Sequence, residues 1–244
     1  MQAEYKVGTS GWAYAHWQGP FYPEHLGQDQ WLEFYQDHFP TVEVNNTFYQ
    51  LPEAETLKSW RGRAKAGFVY TLKANRYITH MKKLKDAQES VPKFLERARK
   101  LGSHLGPILW QLPPNWHADP GRFENFAKVL SDDLTHVFEF RDSDWFQDPI
   151  REILEDHNLS FCIYNMPNRP CPEWVTSDTV YLRFHGLTGE YRGEYGRESL
   201  EPWAERMRAW LDEGLSLYAY FNNDEHAYAT DDARRLIEIL RQVG

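Results

Sequence analysis

A single TIM-type (β/α)8 barrel spanning residues 1–244 is the fold class that the sequence predicts, and three observations carry it. Eight short apolar runs recur from Tyr5 to Leu217, seven intervals of about 30 residues each, the size of a strand–helix unit. Helix-forming stretches with recognisable ends lie between them. No G-x-G-x-x-G turn follows the first strand, which disfavours the rival, an open doubly wound sheet.

The strands are YKVGTS from Tyr5, VEVNN from Val42, FVYTLKAN from Phe68, PILWQL from Pro107, THVFEFR from Thr135, SFCIYN from Ser160, VYLRFHG from Val180 and LYAYFNN from Leu217. The first helix, Gln28 to His38, places Trp31, Leu32, Phe34 and Tyr35 on one side and stops before Pro40. Pro92 starts the next, with Phe94, Leu95, Ala98 and Leu101 at helical spacing before Gly102. Pro120 to Leu130, Pro149 to His157, Pro202 to Glu213 and Asp231 to Gln242 repeat the pattern. No polar linker divides the chain, so one domain is expected.

Composition narrows the function classes. Twenty-seven basic and 36 acidic residues leave a net charge of −9, which argues against a generally basic polyanion binder. The charge is segregated, however: residues 58–100 carry 13 basic and three acidic residues, hence +10 there and −19 elsewhere. No apolar run approaches the roughly 20 residues of a membrane span. The opening Met1-Gln2-Ala3-Glu4-Tyr5-Lys6 lacks a signal-peptide profile. Two cysteines, Cys162 and Cys171, are too few for a disulfide scaffold or a zinc cluster. A soluble cytoplasmic protein without membrane contact is expected.

Side chains alternate across a strand. Phe138 and Phe140 share one face of the fifth strand, and Val137, Glu139 and Arg141 the other; Leu182 and Phe184 likewise oppose Tyr181, Arg183 and His185. Helices cover the outside of a barrel, so the apolar set faces out and the polar set faces in, clustered at the C-terminal strand ends where barrel enzymes keep their sites. The implied ring is Glu43, Asn45, Lys73, Asn75, Gln111, Glu139, Arg141, Arg183, His185 and Asn222. A self-neutralising ion network, for example Glu139 with Arg183, is the purely structural alternative.

Three loops extend the ring. Gly8-Thr9-Ser10-Gly11-Trp12 offers small residues whose N–H groups suit an anion, with Thr9, Ser10 and Trp12 as ligand contacts. The Gly-rich, aromatic stretch 186–196 lies where barrels place a phosphate site or a lid. Asn222 and Asn223 end the eighth strand and suit hydrogen bonding to a ligand, or an Asx turn.

Seven segments together carry a resemblance: VGTSGWAYAHWQGPFYP (7–23), VEVNNTFYQLP (42–52), Lys73 with the ITH at 78–80, GPILWQLPP (106–114), FEFRDSDWF (138–146), YLRFHG (181–186) and YFNND (220–224). In that order they resemble the YecE-like proteins, the domain of unknown function 72 family. The resemblance implies a TIM-barrel-like fold and supplies no reaction. Asn165, on the sixth strand, stands where an acidic residue is expected.

Three functions fit the ring. The first is an enzyme for a small phosphate- or carboxylate-bearing substrate: Arg141 and Arg183 bind the anion, Glu43 or Glu139 is the base, and Lys73 or His185 the acid. A Schiff base on Lys73 is a variant, and a glycosidase with Glu43 and Glu139 as its carboxylates is another. The second is a nucleic-acid-processing barrel, similar to repair endonucleases, that meets phosphates through Lys82, Lys83 and Lys85; a solvated helix face is the simpler explanation of those lysines. The third is a non-catalytic metabolite receptor. Metal ligands would have to come from His16, His80, His185, Glu43 and Glu139, with no local pairing motif and with cations beside them, so neither a metal nor another cofactor is expected.

Overall fold

The computed structural model describes residues 4–242. The opening Met1-Gln2-Ala3 of the signal-peptide argument lies outside the described residues. Eight parallel strands close in sequential order into a barrel: β1 (Tyr5–Ser10), β2 (Thr41–Val44), β3 (Val69–Lys73), β4 (Leu105–Gln111), β5 (His136–Glu139), β6 (Ser160–Asn165), β7 (Thr179–Phe184) and β8 (Ser216–Phe221). Helices α1 (Trp31–Gln36), α2 (Asn46–Tyr49), α3 (Ala54–Arg63), α4 (Ala87–Ala98), α5 (Pro120–Ala127), α6 (Asp148–Asp156), α7 (Gly196–Asp212) and α8 (Tyr228–Gln242) surround it. The β6–β7 crossover, residues 166–178, contains no helix; an irregular segment covers that flank instead, with Trp174 packed on Phe161.

Alternation sets the two layers of the core. Outward-facing Phe138 and Phe140 pack on Phe123 of α5, and Phe140 stacks on Trp145 at 5.0 Å. Inside, Leu109, Val137, Cys162, Tyr181 and Tyr220 form a separate buried cluster. The Tyr220 hydroxyl lies 2.7 Å from Thr41 Oγ1 and 2.8 Å from Thr71 Oγ1, which partners the one polar atom that this aromatic brings to the barrel centre. The charged residues sit one layer above.

Two helices begin before their expected prolines. α4 starts at Ala87 and carries Pro92 inside it; α7 starts at Gly196 and carries Pro202. In α4 the buried stripe Ala87, Val91, Phe94, Leu95, Ala98 runs through the proline, so packing outweighs the lost N–H. α3 has no counterpart in the sequence reading, because it buries only Leu57 and shows no apolar stripe.

Candidate functional site

The polar ring converges at the C-terminal mouth of the barrel, and Arg183 is its centre. Its guanidinium is buried and divides its two terminal nitrogens: Nη2 donates to Glu43 Oε1 at 2.6 Å and Nη1 to Glu139 Oε2 at 2.5 Å. Glu43 also accepts from Ser10 Oγ at 2.7 Å and from the Tyr181 hydroxyl at 2.5 Å. Glu139 accepts from Gln111 Nε2 at 3.2 Å and pairs with Arg141 Nε. Both carboxylates are fully buried. Arg141 and Arg183 hold the Glu139 carboxyl well below its usual range against the opposing effect of burial. Glu139 is therefore not poised as a base, and the Arg183 fork fills the space between the two carboxylates where a glycosidase needs its sugar.

His185 is the next layer outward and is also buried. A guanidinium can only donate, so His185 Nε2 accepts from Arg141 Nη2 at 3.2 Å. The ring proton then sits on Nδ1, which faces the Asn222 side-chain amide at 3.2 Å; turning that amide over brings its oxygen round to accept the proton. Burial, together with repulsion from Arg183 and Arg141, lowers its pKa to about 3. The expectation of an imidazolium acid is corrected: His185 is a neutral ring that orients Arg141. Arg141 also lies over the Tyr164 ring, 5.5 Å from its centroid.

Lys73 differs from every other cation of the ring. Among the described residues its ammonium has no hydrogen-bond or ion-pair partner; Nζ stands 4.5 Å over the Phe48 ring of α2. The ring holds Lys73, Arg141 and Arg183 against Glu43 and Glu139, and the two arginines already engage both carboxylates. The surplus positive charge is therefore that of Lys73. Burial and the two arginines push its pKa down to about 7. Asn45, beside it at the end of β2, has a buried Oδ1 with no partner.

Several expected ligand contacts serve the fold instead. Thr9 faces outward, where its N–H and hydroxyl meet the Tyr35 hydroxyl of α1 at 2.9 Å. Gly11 N–H is taken by Glu43 O at 2.8 Å, so the first loop presents no anion cradle there. Trp12 packs edge-on against Trp60 of α3. Asn75 Oδ1 accepts from Tyr77 N–H and caps the turn after β3. Asn165 accepts from the Tyr195 hydroxyl, while its neighbour Tyr164 turns to the mouth, so the expected acidic position is not in the ring. His16 bonds to the Asp224 carbonyl and His80 to Thr79; no metal-binding cluster occurs among the described residues.

Asn223 is buried and structural. It donates to Gly193 O and to Asp232 Oδ2, both at 2.9 Å. Asp232 also accepts from the N–H groups of Tyr195 and Gly196, which anchors the far end of the 186–196 loop. At the near end Gly186 has φ +100°, and a Cβ there would meet Arg192 O at 2.1 Å, so the turn needs glycine. Between the anchors Glu190 approaches Arg141 to 4.0 Å and Tyr191 covers His185. Asp232→Ala is expected to cost about 3 kcal/mol and to speed amide exchange across residues 186–196, measured by hydrogen–deuterium exchange; unchanged exchange would refute the anchor.

Phe48, Tyr164 and Glu190 are not among the residues that the sequence assigns to the ring, and Tyr181 is assigned to the inner face but not to the site. Tyr181 shares the inward parity of Arg183, a usable signal. Nothing local distinguishes Phe48 from a core aromatic.

The family model described as "Protein of unknown function DUF72" matches residues 6–244. YecE of Escherichia coli K12, a UPF0759 protein, is 32% identical over 270 residues, covering 97% of this chain and 92% of its own. YunF of Bacillus subtilis, also UPF0759, is 22% identical, covering 96% and 94%. A DUF72 family crystal structure from Thermotoga maritima aligns with TM-score 0.88 and 26% identity, covering 98% of this chain and 99% of that one. One from Enterococcus faecalis aligns at 0.83 and 18%, covering 97% and 95%, and shares the fold. The barrel, the order of its strand-end motifs and these relatives agree: the chain belongs to the DUF72 family.

Proposed function

We propose that the mouth of the barrel binds a small phosphate- or carboxylate-bearing substrate and that Lys73 is its acid–base group. One observation carries this reading: Lys73 is the only cation of the ring that lacks a counter-ion, while Glu43 and Glu139 are held by Arg183. With its pKa near 7, the amine both accepts and returns a proton near neutrality. An incoming anion replaces the missing counter-charge and raises that pKa, so binding takes up a proton. Glu43, Glu139 and Arg183 then act as a rigid floor, Arg141 is the second cation facing the mouth, and Asn45 Oδ1 is an acceptor for a hydroxyl or amine that the substrate carries beside its anionic group.

Sulfate holds no proton near neutrality and serves as the probe. Calorimetry at pH 7.5 in two buffers of different ionisation enthalpy is expected to show proton uptake on binding. Affinity should fall about tenfold per pH unit above pH 7. Lys73→Met should abolish both effects; sulfate binding without proton uptake would refute the role of Lys73.

The same group has a stability consequence. The unfolded chain binds the Lys73 proton up to about pH 10.5, the native chain only up to about 7. Stability therefore rises with pH across that window, and the full cost applies below pH 7. Lys73→Met is expected to stabilise the protein by about 2–3 kcal/mol at pH 6, after allowance for partial solvent contact, and by nearly nothing at pH 10.5. Urea unfolding at the two pH values checks it.

A further inference from the structure

Among the described residues, the exposed large hydrophobic side chains are Tyr49, Tyr77, Met81, Leu187 and Tyr191. All five lie on loops or short turns that follow strand C-terminal ends, around one mouth. Scattered apolar exposure is ordinary; confinement to one rim marks an interaction surface. Tyr49 is 70% exposed, Met81 67% and Tyr77 46%, and these three occupy the quadrant above β2 and β3.

That quadrant is also the basic part of the rim. Arg76, Lys82, Lys83 and Lys85 stand there; of the acids beside them, Asp86 pairs with Lys82 at 2.8 Å and Glu89 with Lys93 at 2.7 Å. Arg76, Lys83 and Lys85 have no ion-pair partner among the described residues; Lys83 lies over the Trp116 ring. The lysines are not a solvated helix face. A π-helical turn, Tyr77–Met81, is followed by left-handed Lys83, Leu84 and Asp86, a costly backbone for non-glycine residues. It buries Ile78 and Leu84 and turns Tyr77, Met81 and the lysine amines outward.

We propose that this quadrant binds single-stranded nucleic acid, with bases stacked on Tyr49 and Tyr77 and phosphates held by Arg76, Lys82 and Lys85. Exposed aromatic rings interleaved with cations, Arg76 and Lys85 unpaired and Lys82 shared with Asp86, match unpaired bases on a phosphate backbone. A duplex keeps its base faces stacked and offers these rings nothing. The surface is distinct from Lys73 and stands whether or not the small-anion site does.

Fluorescence anisotropy with a labelled twelve-nucleotide oligothymidine, in about 50 mM salt, tests it. The parent protein should bind the strand at least tenfold tighter than a duplex of equal length. Tyr49→Ala with Tyr77→Ala should weaken binding tenfold or more, while the paired Phe substitutions, which keep the rings, should not. Lys82→Glu with Lys85→Glu should weaken it further and flatten its salt dependence. Lys73→Met should leave it within twofold. No binding, equal affinity for duplex, or indifference to the tyrosine and lysine changes would overturn the proposal. All four rim positions lie at the surface, so circular dichroism readily confirms that the variants fold.

Discussion

Arg183→Met is expected to unfold the protein at neutral pH or to leave it barely folded. The guanidinium is the shared counter-ion of Glu43 and Glu139, both fully buried. Its removal strands two carboxylates in the barrel. Breaking one buried pair typically costs about 3–5 kcal/mol, here with two partners at once, against a total stability of about 5–15 kcal/mol. The remaining donors, Ser10, Tyr181, Gln111 and Arg141, neutralise only part of that charge. Adding Glu43→Gln to Arg183→Met should restore most of the loss, because it leaves Glu139 paired with Arg141 and the cost is charge burial rather than volume. Urea titration by circular dichroism measures both steps. An Arg183→Met protein within about 1 kcal/mol of its parent would show that the network does not support the barrel.

The same network shows what strand parity can and cannot reveal. Alternation alone placed Glu43, Glu139, Arg141, Arg183 and His185 on the inner face, since the outer face must be apolar under helices. Parity assigns a face, not a partner. That Arg183 spans both carboxylates depends on β2, β5 and β7 meeting across the barrel, a consequence of closure that no window of sequence contains. Glu139 reads in sequence either as a base or as the partner of Arg183, and the closed barrel makes it that counter-ion. The outward turn of Thr9 and the separate fates of Asn222 and Asn223 follow from contacts with Tyr35 and Asp232, which are 26 and 9 residues away. The α3 helix escaped notice because a one-residue buried face leaves no periodic signal.

Acid should unfold the chain well above the carboxylate range, and the cause is histidine. His80, His136 and His185 are held neutral, with pKa values lowered to about 4, 4 and 3, in each case chiefly by burial. Geometry agrees for His136: its Nδ1 accepts from the Trp110 indole N–H at 3.1 Å and its Nε2 donates to Ser131 O, so neither nitrogen has room for a second proton partner. Unfolded, all three titrate near 6.5. Between those values the unfolded chain holds about three more protons than the native one, so stability falls as pH drops from 6.5 towards 4. The expected slope near pH 5 is about 3–4 kcal/mol per pH unit. Glu139, whose native pKa is depressed, adds its loss only below about 4.5, when protonation removes its attraction to Arg183 and Arg141. The two sources are thus separable by pH. His136→Gln retains hydrogen bonding but cannot titrate; it should remove about one third of the slope between pH 6 and 5 and leave the fall below 4.5 intact. Denaturant midpoints measured at half-unit intervals from pH 7 to 4 give the slope directly. A flat profile down to pH 5 would mean that these rings are already protonated in the native barrel, contrary to the hydrogen bonds that Trp110 and Arg141 donate to them.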